Sequence, residues 1–333
     1  MTTETSMTLP FDPQRTALYS REELWDGYDS VPANNKSLDW KIFLYFNGAT
    51  KYAPAREELA AQRLHDSHIE TCLNDFFAVD ETAATTAHKV VMIVGSHSSY
   101  RDDPAYADTV RLTCVLKRAG YFVVSGGGPG LMEACHLGTW MSIHDDADVE
   151  AAIATMATTS KPPVGSHLKQ YEMPDYWQKS LAVIGQYPHG GESVGIPTWF
   201  YGHEGANAFS THVGKYFSNA LREEKICALG ISGVIYLNGG PGTAQEAFVD
   251  AAENGYASYN WYSPMLFYRP QALSIAAMNL ITDMLSTKNY GKLGMIGQAQ
   301  TPGEAIDFLH AHPPVNANPP TAPLAHPLFR RAE

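Results

Sequence analysis

One stretch restricts this chain more than any other: Leu237-Asn-Gly-Gly-Pro-Gly-Thr-Ala-Gln-Glu246, set between a short apolar run and a helical pattern. Residues 233–237 are apolar and β-prone, as a buried parallel strand requires, and residues 244–252 change to helical spacing. Gly239, Gly240 and Gly242 let the backbone approach a ligand without Cβ clashes. They also turn peptide N–H groups toward a helix N-terminus, where a phosphate is favoured. Thr243 adds a hydroxyl, and Glu246 puts a carboxylate just inside the helix. A purely structural strand-to-helix turn has little need of so much glycine, so the stretch reads as a phosphate-gripping turn.

The rest of the chain from residue 89 repeats the same alternation. Strands are expected over 90–94, 121–124, 193–198, 233–237 and 265–268, and helices over 104–119, 211–229, 244–253, 272–285 and 301–310. This alternation predicts an α/β fold, a doubly wound parallel sheet of Rossmann-like three-layer form. Gly95 and Ser96 follow the first strand, at the carboxyl edge where such sheets bind ligands. A second glycine turn, Ser125-Gly-Gly-Gly-Pro-Gly-Leu-Met-Glu-Ala134, follows the second strand and supplies Gly126, Gly127, Gly128, Gly130 and Glu133. It is not a GxGxxG fingerprint, and no acidic residue ends the next strand, which disfavours a nicotinamide-dependent oxidoreductase. Residues 142–192 are the least regular part of this region, the length of a lid, a binding loop or a partner surface.

Residues 1–87 read as an N-terminal extension, partly helical. Within it, 39–46 is aromatic enough for a strand or a docking segment, and 56–77 for a helix packed on the main domain. The main domain is expected over 88–312, with a flexible Pro-rich tail over 313–333. The charge run at 222–225 reads by default as a solvated face. The formal charge of −12, with no long basic run, disfavours nucleic acid and anionic membranes, which are bound largely through Lys and Arg. The first residues lack the basic and apolar regions of an export signal, and no apolar run approaches membrane length, so a cytoplasmic location is expected. Cys72, Cys114, Cys135 and Cys227 have no metal-ligand spacing and read as reduced thiols. His65 and His68 lack the further ligands a metal needs and read as surface residues; no metal is expected.

Together the two glycine turns resemble the paired signatures of the LOG family, the cytokinin-activating phosphoribohydrolases long labelled lysine decarboxylases. The Met-Glu-Ala ending of the first turn and Pro241 in the second are most similar to the nucleotide 5′-monophosphate nucleosidase branch. The family's GGxGTxxE element falls on Gly239, Gly240, Gly242, Thr243 and Glu246. The resemblance implies that the glycines and Thr243 hold a 5′-phosphate and that Glu246 is the catalytic carboxylate. It places the family's arginine at Arg222, a Glu-x-x-Asn element at Glu204 and Asn207, and the Gly-Ser turn at Gly95 and Ser96. Asn238 stands where the family usually has Pro, Glu223 where it has Lys, and the interval from Arg222 to Glu246 is one residue longer than usual.

The activity implied is hydrolysis of the N-glycosidic bond of a nucleoside 5′-monophosphate to free base and ribose 5-phosphate, with no cofactor and with a homodimer as the expected assembly. Chemically, a carboxylate near C1′ stabilises an oxocarbenium-like transition state and activates water. Two rivals remain at this stage. One is a nucleotide-sensing module of the same fold without chemistry. The other is a pyridoxal-phosphate decarboxylase, which no lysine motif supports.

Overall fold

The apolar runs form one parallel sheet. The computed structural model describes residues 9–317 apart from Ser30, Pro32, Glu81, Thr82, Ala84, His203 and Glu204. The strands are β1 (Lys89–Val94), β2 (Tyr121–Ser125), β3 (Val194–Gly195), β4 (His212–Val213), β5 (Val234–Tyr236), β6 (Trp261–Tyr262), β7 (Met265–Tyr268), β8 (Ile296–Ala299) and β9 (Val315–Asn316). Seven of them make the main sheet in the order β4-β3-β2-β1-β5-β7-β8, every pair parallel. The chain winds outward from β1 to β4, then crosses back to place β5 on the other side of β1. The carboxyl ends of β1 and β5 are therefore the topological switch point, where an open α/β sheet leaves a crevice.

Side chains alternate across the sheet and feed two cores. Val90, Met92 and Val94 of β1 join Val234, Tyr236, Met265 and Phe267 on one face. Val91 and Ile93 join Val123, Ile235 and Leu266 on the other. The first face is covered by α1 (Arg21–Trp25), α2 (Leu38–Tyr45), α3 (Arg56–Phe77), α8 (Asn219–Leu229), α9 (Pro241–Tyr256) and α10 (Ala272–Leu285). The second is covered by α4 (Pro104–Arg118), α5 (Leu131–Met141), α6 (Asp146–Ala157), α7 (Tyr176–Gln186) and α11 (Pro302–Ala311). This is the expected doubly wound, three-layer α/β/α arrangement. No described helix is long and apolar enough to cross a membrane.

The N-terminal section shares the first core. Gln62, His65, Asp66, Ile69, Cys72, Leu73 and Phe77 form the buried stripe of α3, at helical spacing. Asp66 accepts the backbone N–H groups of Phe217 (2.9 Å) and Ser218 (2.8 Å), just before α8. Asp39 accepts from Lys215 Nζ (2.7 Å) and Trp199 Nε1 (2.8 Å), all in the interior. These contacts join segments more than a hundred residues apart, and removing one partner would leave a buried charge uncompensated.

Several expectations change. The segment 39–46 is a helix running into a single π-helical turn, because Ser37 caps it by accepting the Trp40 N–H. His65 is buried rather than at the surface, bonded through Nε2 to the Tyr19 hydroxyl (2.9 Å). The helix expected from 211 begins only at Asn219, since 212–213 first extend the sheet as β4. The helix after the glycine stretch begins at Pro241, earlier than expected, because proline at the first helical position has its φ preset and lacks an N–H that would have no partner. Strand β8 was not foreseen: four residues containing a glycine carry a weak β signal. Residues 142–192 carry α6 and α7, and Val315–Asn316, in the stretch read as tail, pairs with Trp261–Tyr262. All four cysteines are free and buried.

Candidate functional site

The two glycine turns meet at the switch point in opposite roles. The first is buried from Ser125 to Leu131, and Gly126, Gly127 and Gly130 are closely bounded by protein neighbours. A Cβ on Gly126 would strike Arg222 Nη2 and lie 2.5 Å from Met132 Sδ. Gly130 has φ +69°, and a Cβ there would lie 2.6 Å from Ser96 O and 2.7 Å from His97 O. Gly127 and Gly128 are equally buried. Behind them, Ser125 Oγ meets His136 Nε2 (2.7 Å) and accepts the Gly127 N–H (3.1 Å), while His136 Nδ1 meets Ser193 Oγ (2.8 Å). Burial pushes the His136 imidazole down to about 3, so it acts as a neutral tie between β2 and β3.

The second turn is open. Gly240 precedes α9 as its N-cap and Gly242 lies in the first turn. Neither has a protein atom within 4 Å of an added Cβ, and neither has a positive φ. Nothing in the fold requires glycine at these two positions. The geometry of any α-helix leaves the N–H groups of Gly242 and Thr243 without a carbonyl partner inside α9. The Thr243 side chain lies against Gly239. Gly95 and Ser96 border the same crevice: a Cβ on Gly95 would lie 3.1 Å from Leu131 and 3.2 Å from Leu237, and the Ser96 N–H donates to Asn238 O (3.3 Å). Asn238, the departure from the family pattern, holds the neighbouring loop. Its Nδ2 donates to Arg269 O (3.1 Å), and its Oδ1 accepts from Gln271 N (3.1 Å) and Ser274 Oγ (3.2 Å).

Beneath this turn lies a buried cluster of three charged side chains. Arg222 Nε donates to Ile196 O (2.8 Å), and Nη1 donates to Glu223 Oε1 (2.7 Å) and Glu246 Oε1 (3.3 Å). Gly230 caps α8, and a tight segment closed by the Gly233 N–H on Gly230 O leads into β5. The run 222–225 is therefore not a solvated face. Arg222, Glu223 and Lys225 are buried because α3 and α9 cover α8, and only Glu224 is exposed. Burial raises the Glu246 carboxyl to about 8; Arg222 pulls it down, and Glu223 pushes it up. Glu223 Oε2 is a buried acceptor with no donor. A proton on Glu246 would supply that donor, so the two carboxyls form a pair able to share a proton. Glu223 carried no signal in the sequence, because only burial separates it from an ordinary surface glutamate.

Other residues singled out in the sequence are engaged elsewhere. Glu133 accepts from Arg101 Nε (2.7 Å) and Nη2 (2.5 Å), Tyr106 OH (2.9 Å) and Tyr176 OH (3.0 Å), a buried clamp between α5 and α7. Arg101, an isolated arginine after β1, carried no sequence signal. Asn207 donates from N (2.9 Å) and Nδ2 (3.0 Å) to Gly127 O, and its Oδ1 accepts from Phe209 N and Ser210 N. It shapes the first turn from behind. Glu204 lies outside the described residues. Among the described residues no three His, Cys, Asp or Glu side chains form a group able to hold a metal ion.

A cavity of about 560 Å³ adjoins the first turn, with Pro129, Glu133 and Asn207 in its wall. Its remaining lining comes from the N-terminal section, from residues 168–177 and from Gly205 and Ala206, and is mostly aromatic.

No family model matches the sequence, and no curated protein is similar to it in sequence. Among solved structures, the chain is similar to the molybdenum cofactor binding protein from Rippkaea orientalis, at 13% identity over 67% of this chain and 95% of that one, with a TM-score of 0.40. It is also similar to the Moco carrier protein from Chlamydomonas reinhardtii, at 14% identity over 67% and 97% of the two chains, with a TM-score of 0.38. Likeness at this distance says nothing of activity.

Proposed function

We propose that the protein hydrolyses the N-glycosidic bond of a nucleoside 5′-monophosphate, releasing free base and ribose 5-phosphate. The observation that carries this reading is the placement of Glu246. It lies one turn into a helix whose N-terminus is an open glycine turn, and it is buried against an arginine and a second carboxyl. A phosphate on Gly240, Gly242 and Thr243 would fix C1′ near that carboxyl and supply remote binding energy for the chemical step. In its anionic form Glu246 stabilises the ribosyl cation and activates water; Arg222 balances the charge of the pair and of the departing base. A module that only senses nucleotides needs the turn but gains nothing from two carboxyls converging on one guanidinium.

Incubation with a panel of nucleoside 5′-monophosphates, followed by chromatography, is expected to show free base. The unphosphorylated nucleosides should react at least about 10²-fold more slowly, because they lose the anchor that positions C1′. Equal turnover of both forms would sink the phosphate reading, and binding without cleavage would leave the sensing module.

The carboxyl pair adds a pH signature. Since Glu246 acts as its anion and holds a proton to about 8, kcat/KM should climb with pH and level off above that value. Glu223→Gln removes the charge that pushes Glu246 up while keeping an oxygen for Arg222. The rising limb should then move to lower pH, with faster turnover at pH ~7. A limb that stays in place would mean that Glu223 does not act on Glu246.

A further inference from the structure

The aromatic cavity beside the first glycine turn lies apart from the candidate active site. No residue of the second turn lines it, nor do Arg222 and Glu246. The buried first turn stands between, with Asn207 of the cavity wall on Gly127 O and Arg222 against Gly126. A volume of about 560 Å³ is that of a small-molecule site. Trp25 and Tyr28 come from the N-terminal section, and Trp177 from the first turn of α7. Trp25 stacks on Trp177 with ring centroids 3.7 Å apart and planes at 25°, and meets Tyr28 edge-on at 4.5 Å. Its Nε1 donates to Ala206 O (2.8 Å), which fixes this wall to the main domain. From α2 comes a second stacked pair, Trp40 and Phe43, with centroids 5.3 Å apart.

Charge narrows what such a cavity can take. Among the described residues that line it there is no Lys, Arg or His, whereas Asp29, Glu133 and Glu172 are carboxylates. Glu133 is neutralised by Arg101, whose guanidinium also lies 3.4 Å over the Tyr176 ring, so neither Glu133 nor Tyr176 is left for a ligand. Asp29 and Glu172 make no ion pair among the described residues. Each accepts one backbone N–H, Asp29 Oδ1 from Val31 (2.8 Å) and Glu172 Oε2 from Lys169 (2.6 Å), and a neutral donor leaves the carboxylate its charge. A phosphate would be repelled here. A neutral ring would fill the space and leave both charges uncompensated. An organic cation answers both features, because aromatic faces, Trp above all, attract it through their quadrupoles and the carboxylates attract it directly. A quaternary ammonium suits the cavity better than a lysine-like ammonium, which holds its water strongly.

We propose that this cavity is a ligand site separate from the second glycine turn and that it takes an organic cation. The apolar body of the ligand lies among the rings of Trp25, Tyr28, Trp40 and Trp177, and its quaternary or protonated amine is balanced by Asp29 and Glu172. The site stands whether or not the protein cleaves nucleotides.

The test is calorimetric titration of the full chain at neutral pH with (3-hydroxyphenyl)trimethylammonium and 3-tert-butylphenol, which share one shape and differ in charge. The cation should saturate one site, and the phenol should bind about 5- to 30-fold more weakly, the span of a desolvated cation–aromatic contact. Asp29→Asn with Glu172→Gln keeps an oxygen for the Val31 and Lys169 N–H groups and removes both charges. That double variant should weaken the cation about 5-fold or more and leave the phenol unchanged. Trp40→Ala should weaken both probes, the cation more, and Trp40→Phe should recover most of the loss; Tyr28→Ala truncates the other wall independently. Equal affinity for the two probes would overturn the cation assignment, as would a double variant that binds the cation as tightly as the parent. Absence of saturable binding, or full affinity in both truncations, would overturn the site itself. Saturating ribose 5-phosphate should not displace the cation; displacement would put the cation at the second turn and end the separation of the two sites.

Discussion

Glu246→Gln is expected to lower base release from nucleoside 5′-monophosphates by about 10³-fold, within the usual range for a positioned acid–base group, while leaving the fold at least as stable. The amide keeps an oxygen for Arg222 Nη1 and cannot carry the negative charge that a ribosyl cation needs. Stability supplies the second readout. An unfolded chain releases this proton near 4.5, and the folded chain keeps it to about 8. Between those values the unfolded state binds fewer protons, so stability is fully present below 4.5 and falls as pH rises through about 8. Glu246→Gln removes that slope. Thermal melts across this window should therefore decline with pH for the parent and run flatter for the variant, which should be the more stable of the two at the alkaline end. Retention of parental turnover would end the assignment of Glu246, whatever the melts show.

The elements that position this carboxyl were legible because their signals are local. A β-prone run ending in Leu237-Asn-Gly-Gly specifies strand and turn without reference to the rest of the chain, and the strong helix formers of Arg56–Phe77 specify a helix, though not which of its faces is buried. What could not be read depends on distant partners. Whether Arg222, Glu223 and Lys225 face water is decided by α3 and α9; Lys225 Nζ, for instance, donates to Asn74 Oδ1 (2.5 Å), 151 residues away. Asp39 and His65 likewise look like surface residues until Lys215 and Tyr19 are placed beside them. Glycine was the most ambiguous signal of all. The same residue marks a buried close contact at Gly126 and an open helix N-terminus at Gly240, and the sequence spells both alike.

Arg222→Met is expected to have the other large effect, for a reason that separates it from Glu246→Gln. Arg222 holds Ile196 O, Glu223 and Glu246 together from under Gly126, so its loss strands two buried carboxyls. Removing one partner of a buried ionic cluster costs about 3–5 kcal/mol, and a methionine of similar length limits the packing defect to the lost charge. With its lowering influence gone, Glu246 should keep its proton to higher pH, and turnover should be lost over the accessible range. The stability loss should shrink as pH falls, because a protonated pair no longer needs a cation; for a cavity, the loss would not depend on pH. Arg222→Lys sharpens the distinction. It restores positive charge without the planar fork that reaches a carbonyl with Nε and two carboxyls with Nη1, so it should recover part of the stability and little of the activity. Urea unfolding at several pH values, with turnover measured on the same samples, decides the matter. A lysine variant with parental activity would mean that Arg222 contributes charge alone, and the geometry of the cluster would lose its place in the mechanism.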